Sequence, residues 1–212
     1  MKPRVAAKRR NPWLTIPLAD YEAHMALPQV GQAELLAEVL AAAVRRHAAR
    51  SVAIFGCAGG NGFDRVPLDT RLVGVDVNPD YVATARKRHR KRKQLELYVA
   101  DVTKDKLSFA PVELAFAGLL LEYVDPAKAL KRIGKTLLPG GALVVTVQLP
   151  GGRAKVTPSP YASLAALASS MHLVSTAQLL ESATAEGYEL RAAAIWTASG
   201  GKEFAVHTYR LD

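Results

Sequence analysis

The sequence holds one cysteine, no long apolar run and no grouped metal ligands, and each shortage closes off a class of protein. With Cys57 alone there is no internal disulfide, and a reducing, cytoplasmic setting is expected. No apolar stretch reaches the ~18 residues of a membrane span, so no membrane partner is expected. The basic opening, Met1 to Arg10, is not followed by the ~7–15 apolar residues of a secretory signal. The five histidines, at positions 24, 47, 89, 172 and 207, sit at ligand spacing neither to one another nor to Cys57. No metal site is expected from them.

Acids are missing from two stretches. One carries Lys2, Arg4, Lys8, Arg9 and Arg10, and the other Arg86, Lys87, Arg88, Arg90, Lys91, Arg92 and Lys93. The net charge of +9 therefore belongs to two local patches, and the rest of the chain is slightly acidic. The 86–93 block reads either as a solvated helix end, where cations suit the helix dipole, or as a nucleic-acid surface. No aromatics interleave with its charges, which disfavours a nucleic-acid partner. Residues 1–12 are expected to be mobile.

Half of the 212 residues are hydrophobic, as in a globular chain long enough for a substantial core. The chain is organised around Ser51-Val-Ala-Ile-Phe-Gly-Cys-Ala-Gly-Gly-Asn-Gly-Phe63. Val52 to Phe55 reads as a strand covered on both faces. It runs into a turn whose Gly56, Gly59, Gly60 and Gly62 let backbone amides approach a ligand. A second such strand, Leu72 to Asp76, ends on an acid 20 residues after Gly56, the spacing for a carboxylate on ribose hydroxyls. A third, Leu95 to Ala100, is followed by Asp101. Both acids could equally cap the turns that follow them.

No register of the loop reads G-x-G-x-x-G, and Pro67 leaves about one helical turn after it. A nicotinamide cofactor, whose pyrophosphate wants a long helix's amino end, is therefore disfavoured. A fourth strand, Val112 to Ala117, leads into Gly118-Leu-Leu-Leu-Glu-Tyr-Val-Asp125, and a fifth spans Ala142 to Val147. Ligands of open α/β sheets bind beyond the strands' carboxyl ends, so Leu119, Glu122 and Tyr123 belong to the rim. Helices are expected over Ile16 to Leu27, Gln32 to Ala48, Pro79 to about Lys93, Pro126 to Leu138, Ser163 to Met171 and Thr176 to Ala185. Glu189 to Ala198 and Lys202 to Leu211 read as a hairpin across Ser199-Gly200-Gly201. The fold class is thus α/β, a Rossmann-like doubly wound, seven-stranded, mainly parallel sheet with a C-terminal antiparallel hairpin.

At these residues the chain resembles the class I S-adenosylmethionine-dependent methyltransferases, strongly over about 48–150. Leu137-Leu138-Pro139-Gly140-Gly141 before a core strand adds to the likeness. It departs at Ile54, where an acid is usual, at Ala58 for a glycine, and at Glu113 for the acid opening the fourth strand. The resemblance implies S-adenosylmethionine as cofactor and S-adenosylhomocysteine as product. It implies the methionine part at Gly56, Cys57, Ala58, Gly60 and Asn61, the ribose at Asp76 with Val77 and Asn78, and the adenine near Asp101 and Val102. Leu119 and Tyr123 would border the cofactor. It also implies one domain spanning 1–212: an N-terminal helical segment and lid (1–48), a cofactor-binding core (49–150), and a loop, helices and closing hairpin (151–212).

Three catalytic candidates follow. Tyr21 and His24, three apart on one helix face, either face substrate or leave Tyr21 and Met25 on the core with His24 exposed. Glu122 is either a general base or the holder of a nearby amide. Arg153 and Lys155, on a proline- and glycine-rich loop, suit an anionic acceptor or are solvated charges. His172 and Cys57 are expected to be structural. The function expected is methyl transfer to a small-molecule acceptor. The alternatives are an RNA or protein methyltransferase recruited through 86–93, and a non-catalytic S-adenosylmethionine-binding domain.

Overall fold

A computed structural model of the chain describes residues 11–151 and 153–211. The basic residues at 2–10, and most of the segment expected to be mobile, lie outside them. Asn11 and Pro12, also expected to be mobile, instead start a 3-10 turn over Pro12–Leu14, with the Asn11 side chain accepting from Trp13 N.

Seven strands form one sheet: β1 (Ser51–Phe55), β2 (Arg71–Asp76), β3 (Leu95–Val99), β4 (Val112–Gly118), β5 (Leu137–Gln148), β6 (Tyr188–Thr197) and β7 (Glu203–Leu211), in the order β3-β2-β1-β4-β5-β7-β6. The first five pair in parallel, and β7 lies antiparallel between β5 and β6. Side chains of β1 alternate between two cores: Ala53 and Phe55 enter one, Val52 and Ile54 the other. This period of two on a strand buried from both sides accounts for the continuous apolar run.

One face is covered by α2 (Gln32–His47), whose Leu35, Val39, Leu40 and Val44 pack with Ala85 of α3 (Pro79–Arg88). The other is covered by α4 (Pro126–Gly134) and α6 (Thr176–Ala185), through Leu130, Ile133 and Leu179. A third, smaller cluster joins Ile16 to Leu164 and Leu167, bringing α1 (Leu18–Ala26) beside α5 (Ala165–Ser170). Helix starts follow side-chain capping. Asn78 accepts from Asp80 N before Pro79 of α3, Asp125 from Lys128 N at α4, and Ser175 and Gln178 form a capping box at α6.

Three boundaries differ clearly from expectation, the first being the end of α4 at Gly134 rather than Leu138. Helix α3 ends at Arg88, not near Lys93, because the chain turns so that Arg92 can donate to the carbonyls of Val66, Pro67 and Thr70. Strand β5 begins at Leu137, not Ala142: a register shift against β4 admits Pro139-Gly140-Gly141, with Gly140 at φ 71°. Strand order reverses between β1 and β4, opening a crevice at their carboxyl ends. No described helix is long and apolar enough to cross a membrane.

Candidate active site

A cavity of about 770 Å³ lies over the carboxyl ends of the parallel strands. One end is built by the glycine loop and the ends of β2 and β3. The amides of Gly56 and Cys57 both donate to Val75 O, tying the loop to β2. Asp76 Oδ2 accepts from Ala58 N and Oδ1 from Asn78 N, each at 2.9 Å. Burial raises its carboxyl above the usual carboxylate range, and the amides of Asn78, Ala58 and Val77 oppose that rise. Asp101 Oδ1 accepts from the Thr103 amide and hydroxyl, and Oδ2 pairs with Lys104. Burial pushes that carboxyl up, but the bonds to Lys104 and Thr103 outweigh it and hold it low.

Gly56, Ala58, Asp76, Val77, Asp101, Val102, Leu119, Tyr123, Tyr21 and His24 all line this cavity. Ala58 and Leu119 hold left-handed backbone, with φ 47° and 54°, a strain that non-glycine residues keep where the surroundings dictate the turn. Cys57, Gly60, Asn61 and Asn78 shape the loop from behind. The Cys57 thiol is buried beneath Gly74 of β2, and burial raises its pKa, as suits a packing residue. A Cβ on Gly60 would lie 2.6 Å from the His89 ring, and one on Gly59 2.5 Å from Glu22 Oε1. Gly60, at φ 95°, needs to be glycine, whereas at Gly59 the crowding atoms are side-chain ends that can shift.

The N-terminal segment crosses the mouth. Trp13 O accepts from Asn78 Nδ2 at 2.7 Å, and Ile16 O from the Tyr81 hydroxyl at 2.8 Å. Trp13 then meets Tyr21 and Tyr123 edge-on, with ring centroids 5.2 and 5.0 Å away. An Arg88–Glu22 pair fastens α1 to α3. Burial, then the Asp76 charge, raises the Tyr21 hydroxyl's pKa, so it stays protonated.

The other end is polar and basic: His24, Gln32, Gln148, Lys155, His172 and Lys202 line it. His24 is 5% exposed, not solvated, and its Nδ1 has no hydrogen-bond partner. Burial, then the Lys202 charge, lowers its pKa, keeping the ring neutral at pH 7. Lys202 Nζ donates to Lys155 O at 2.7 Å and Gln148 Oε1 at 3.3 Å. Lys155 Nζ donates to Met171 O at 2.8 Å.

Glu122 does not line the cavity. Its Oε1 accepts from Gln148 N at 2.7 Å, it is 1% exposed, and burial raises its pKa to about 7. That is the amide-holding arrangement of the two expected. Arg153 lies against Gly201, in a side groove with Gln29 and Gly200. His172, expected to be structural, is exposed on the cavity wall. In the 86–93 block, Arg86 donates to Leu97 O, Arg88 pairs with Glu22, and Arg92 is buried on three carbonyls. Three of its seven cations are thus committed within the chain. Among the described residues no group of His, Cys, Asp and Glu could hold a metal ion.

Sequence reading missed Trp13, Tyr81, Gln148 and Lys202. Trp13 had a signal, as one of only two tryptophans. Lys202 had none, because its place depends on how the hairpin packs.

Residues 54–145 match a family described as a methyltransferase domain. No curated protein matches the chain. Among solved structures the chain is similar to the N-methyltransferase NodS from Bradyrhizobium japonicum bound to S-adenosylhomocysteine. The identity is 17%, over 96% of this chain and 93% of that one, with a TM-score of 0.63. It is also similar to geranyl diphosphate C-methyltransferase from Streptomyces coelicolor A3(2), at 14% identity over 82% and 79%, with a TM-score of 0.63. The cyclase SpnF matches at 19% identity over 76% and 75%, with a TM-score of 0.60. At such identities the likeness to these structures is one of fold, and the cyclase makes plain that fold alone does not name a reaction.

Proposed function

We propose that this chain, which carries a class I S-adenosylmethionine-dependent methyltransferase domain, methylates a small molecule held in the same cavity as the cofactor. The observation that carries this reading is a single cavity, crossed by Trp13 and Tyr21, with carboxylates at one end and cationic groups at the other. Its volume falls in the ~300–1,000 Å³ range of small-molecule sites. The residues fit the cofactor. Asp76 retains lone pairs for ribose hydroxyls beyond the two amides it accepts. Asp101 and Val102 wall the space beside it, and the Gly56–Asn61 loop presents backbone with little side chain. When bound, S-adenosylmethionine supplies a methyl group on a sulfonium.

In this reading the three segments 1–48, 49–150 and 151–212 work as one domain. Gly56, Cys57, Ala58, Gly60 and Asn61 hold the methionine part by shape. Asp76, Val77 and Asn78 hold the ribose, and Leu119 and Tyr123 form the wall. Tyr21 and Trp13 exclude water. His24 is the general base for a neutral nucleophile, since a neutral imidazole with an unpartnered ring nitrogen lines the cavity. Glu122 positions the β5 end through Gln148 N. A nucleic-acid substrate is disfavoured because the 86–93 block spends Arg86, Arg88 and Arg92 on internal bonds.

Calorimetric titration tests the cofactor part. S-adenosylmethionine and S-adenosylhomocysteine are expected to bind wild type, and Asp76→Ala to bind each ~10- to 100-fold more weakly, the loss of ~1.5–3 kcal/mol of charge-assisted contact. A wild type that binds neither ligand would sink the reading. RNA binding whose affinity falls steeply with salt would move the acceptor from small molecule to nucleic acid.

A further inference from the structure

Building on the proposed methyl transfer, we propose that the acceptor carries an oxyanion, a carboxylate or phosphate, and that Lys202 is the specificity-determining residue that seats it. Lys202 precedes β7 and is 6% exposed, so its ammonium has lost most of its water. An ammonium has three donors. Two are met by uncharged oxygens, Lys155 O and Gln148 Oε1. No carboxylate among the described residues pairs with it, and the charge facing it is the like charge of Arg153. Burying a cation without a counter-charge is costly, and proteins ordinarily pair such a group. Glu122 spends its Oε1 on the Gln148 amide and does not line the cavity.

A second buried polar group beside it also lacks a protein partner. His24 shares the cavity, nine-tenths or more buried, with Nδ1 unpartnered. Between these groups and the cofactor loop the wall is apolar and aromatic: Trp13, Met25, Leu167 and Met171. The arrangement suits a ligand with an apolar body and one anionic end. The anion would complete the Lys202 donor set and supply the missing counter-charge, and the two neutral contacts already hold the ammonium in place. Arg153, one of the two loop cations singled out by sequence, lines only the side groove, whereas Lys202 lines both that groove and the main cavity.

The test uses three probes, benzoate, inorganic phosphate and the neutral benzamide, titrated into the full chain saturated with S-adenosylhomocysteine. An anion is expected to bind wild type about tenfold or more tighter than benzamide, as one charge-assisted hydrogen bond implies. The tighter of benzoate and phosphate identifies the oxyanion. In K202M that preference should fall to about twofold or less, with S-adenosylhomocysteine affinity unchanged as evidence that the variant is folded. The wild-type comparison stands whether or not the variant folds. No anion binding, benzamide binding as tightly as both anions, or a preference that survives K202M each overturns the proposal. Failure of S-adenosylhomocysteine to bind wild type would instead overturn the methyltransferase reading beneath it.

Discussion

The two ends of the cavity are built in opposite ways. At the acidic end, Asp76 closes β2 and Asp101 follows β3, and both are held by amides two or three residues away or by the neighbouring glycine loop. Each piece is local, so each lies in one readable stretch of chain. At the basic end, His24 comes from α1, Gln148 from β5, Lys155 from the following loop and Lys202 from the turn before β7. β2 and β5 are three strand spacings apart, roughly 14 Å at ~4.8 Å per step. Because β7 runs antiparallel to β5, its first residues lie at the carboxyl edge of the sheet, and so Lys202 reaches the cavity. A strand-end acid is placed by topology alone, whereas a cation brought in by a reversed strand is placed by packing.

The largest effect expected belongs to the acidic end. Asp76→Ala leaves the amides of Ala58 and Asn78 without their acceptor as well as removing the ribose contact. It should therefore lose both cofactor affinity and ~1–3 kcal/mol of stability in urea denaturation. A cofactor loss with no stability change would mean the carboxylate is not the tie between loop and strand.

The next concerns the acid beneath the basic end. Glu122 is raised from 4.5 to about 7 by burial. The folded state thus holds the proton more tightly than the unfolded one, and the stability this contributes is full below about 4.5 and lost as pH rises through about 7. Above that, a buried carboxylate costs on the order of 3 kcal/mol. Glu122→Gln keeps an acceptor for Gln148 N without the charge, so it should stabilise the protein at pH 8 and do little at pH 4. An equal effect at both pH values would show that Glu122 is not a buried charge.

A smaller effect sharpens the contrast. Burial, then the Arg153 charge, lowers Lys202 to about 8, with His24, Arg153 and Lys155 around it and Glu122 behind Gln148. Benzoate affinity should accordingly fall by about tenfold between pH 7 and 9 as the ammonium deprotonates. S-adenosylhomocysteine affinity should stay flat across the same range. Parallel falls at both ends would erase the distinction between them. The smallest effect is expected far from either end: Lys91→Gln with Lys93→Gln should change cofactor affinity and stability by less than ~0.5 kcal/mol. A larger loss of cofactor affinity would bring the basic block into the site.

Most of the fold was legible because its signals are local. Buried strands announce themselves as apolar runs, turns as glycines, and helix starts as Asn78-Pro79 and Asp125-Pro126. What escaped was long-range. The end of α3 at Arg88 follows from Arg92 bonding to carbonyls more than twenty residues back. The start of β5 at Leu137 follows from a bulge that only pairing with β4 reveals. Glu122 had two readings on sequence, and its 2.7 Å bond to Gln148 N, across 26 residues, is what tells them apart.

The amino-acid sequence by itself determined the sheet, the glycine loop and the acids beside it, because short-range periodicity, turn chemistry and spacing along one chain segment specify them. Tertiary structure alone decided which groups face the cavity at the other end. Trp13 crosses its mouth only because Asn78 and Tyr81 bind the backbone around it. Lys202 lies buried without a counter-charge only because a reversed strand starts there. Those facts rest on packing between segments distant in sequence, which no local pattern encodes.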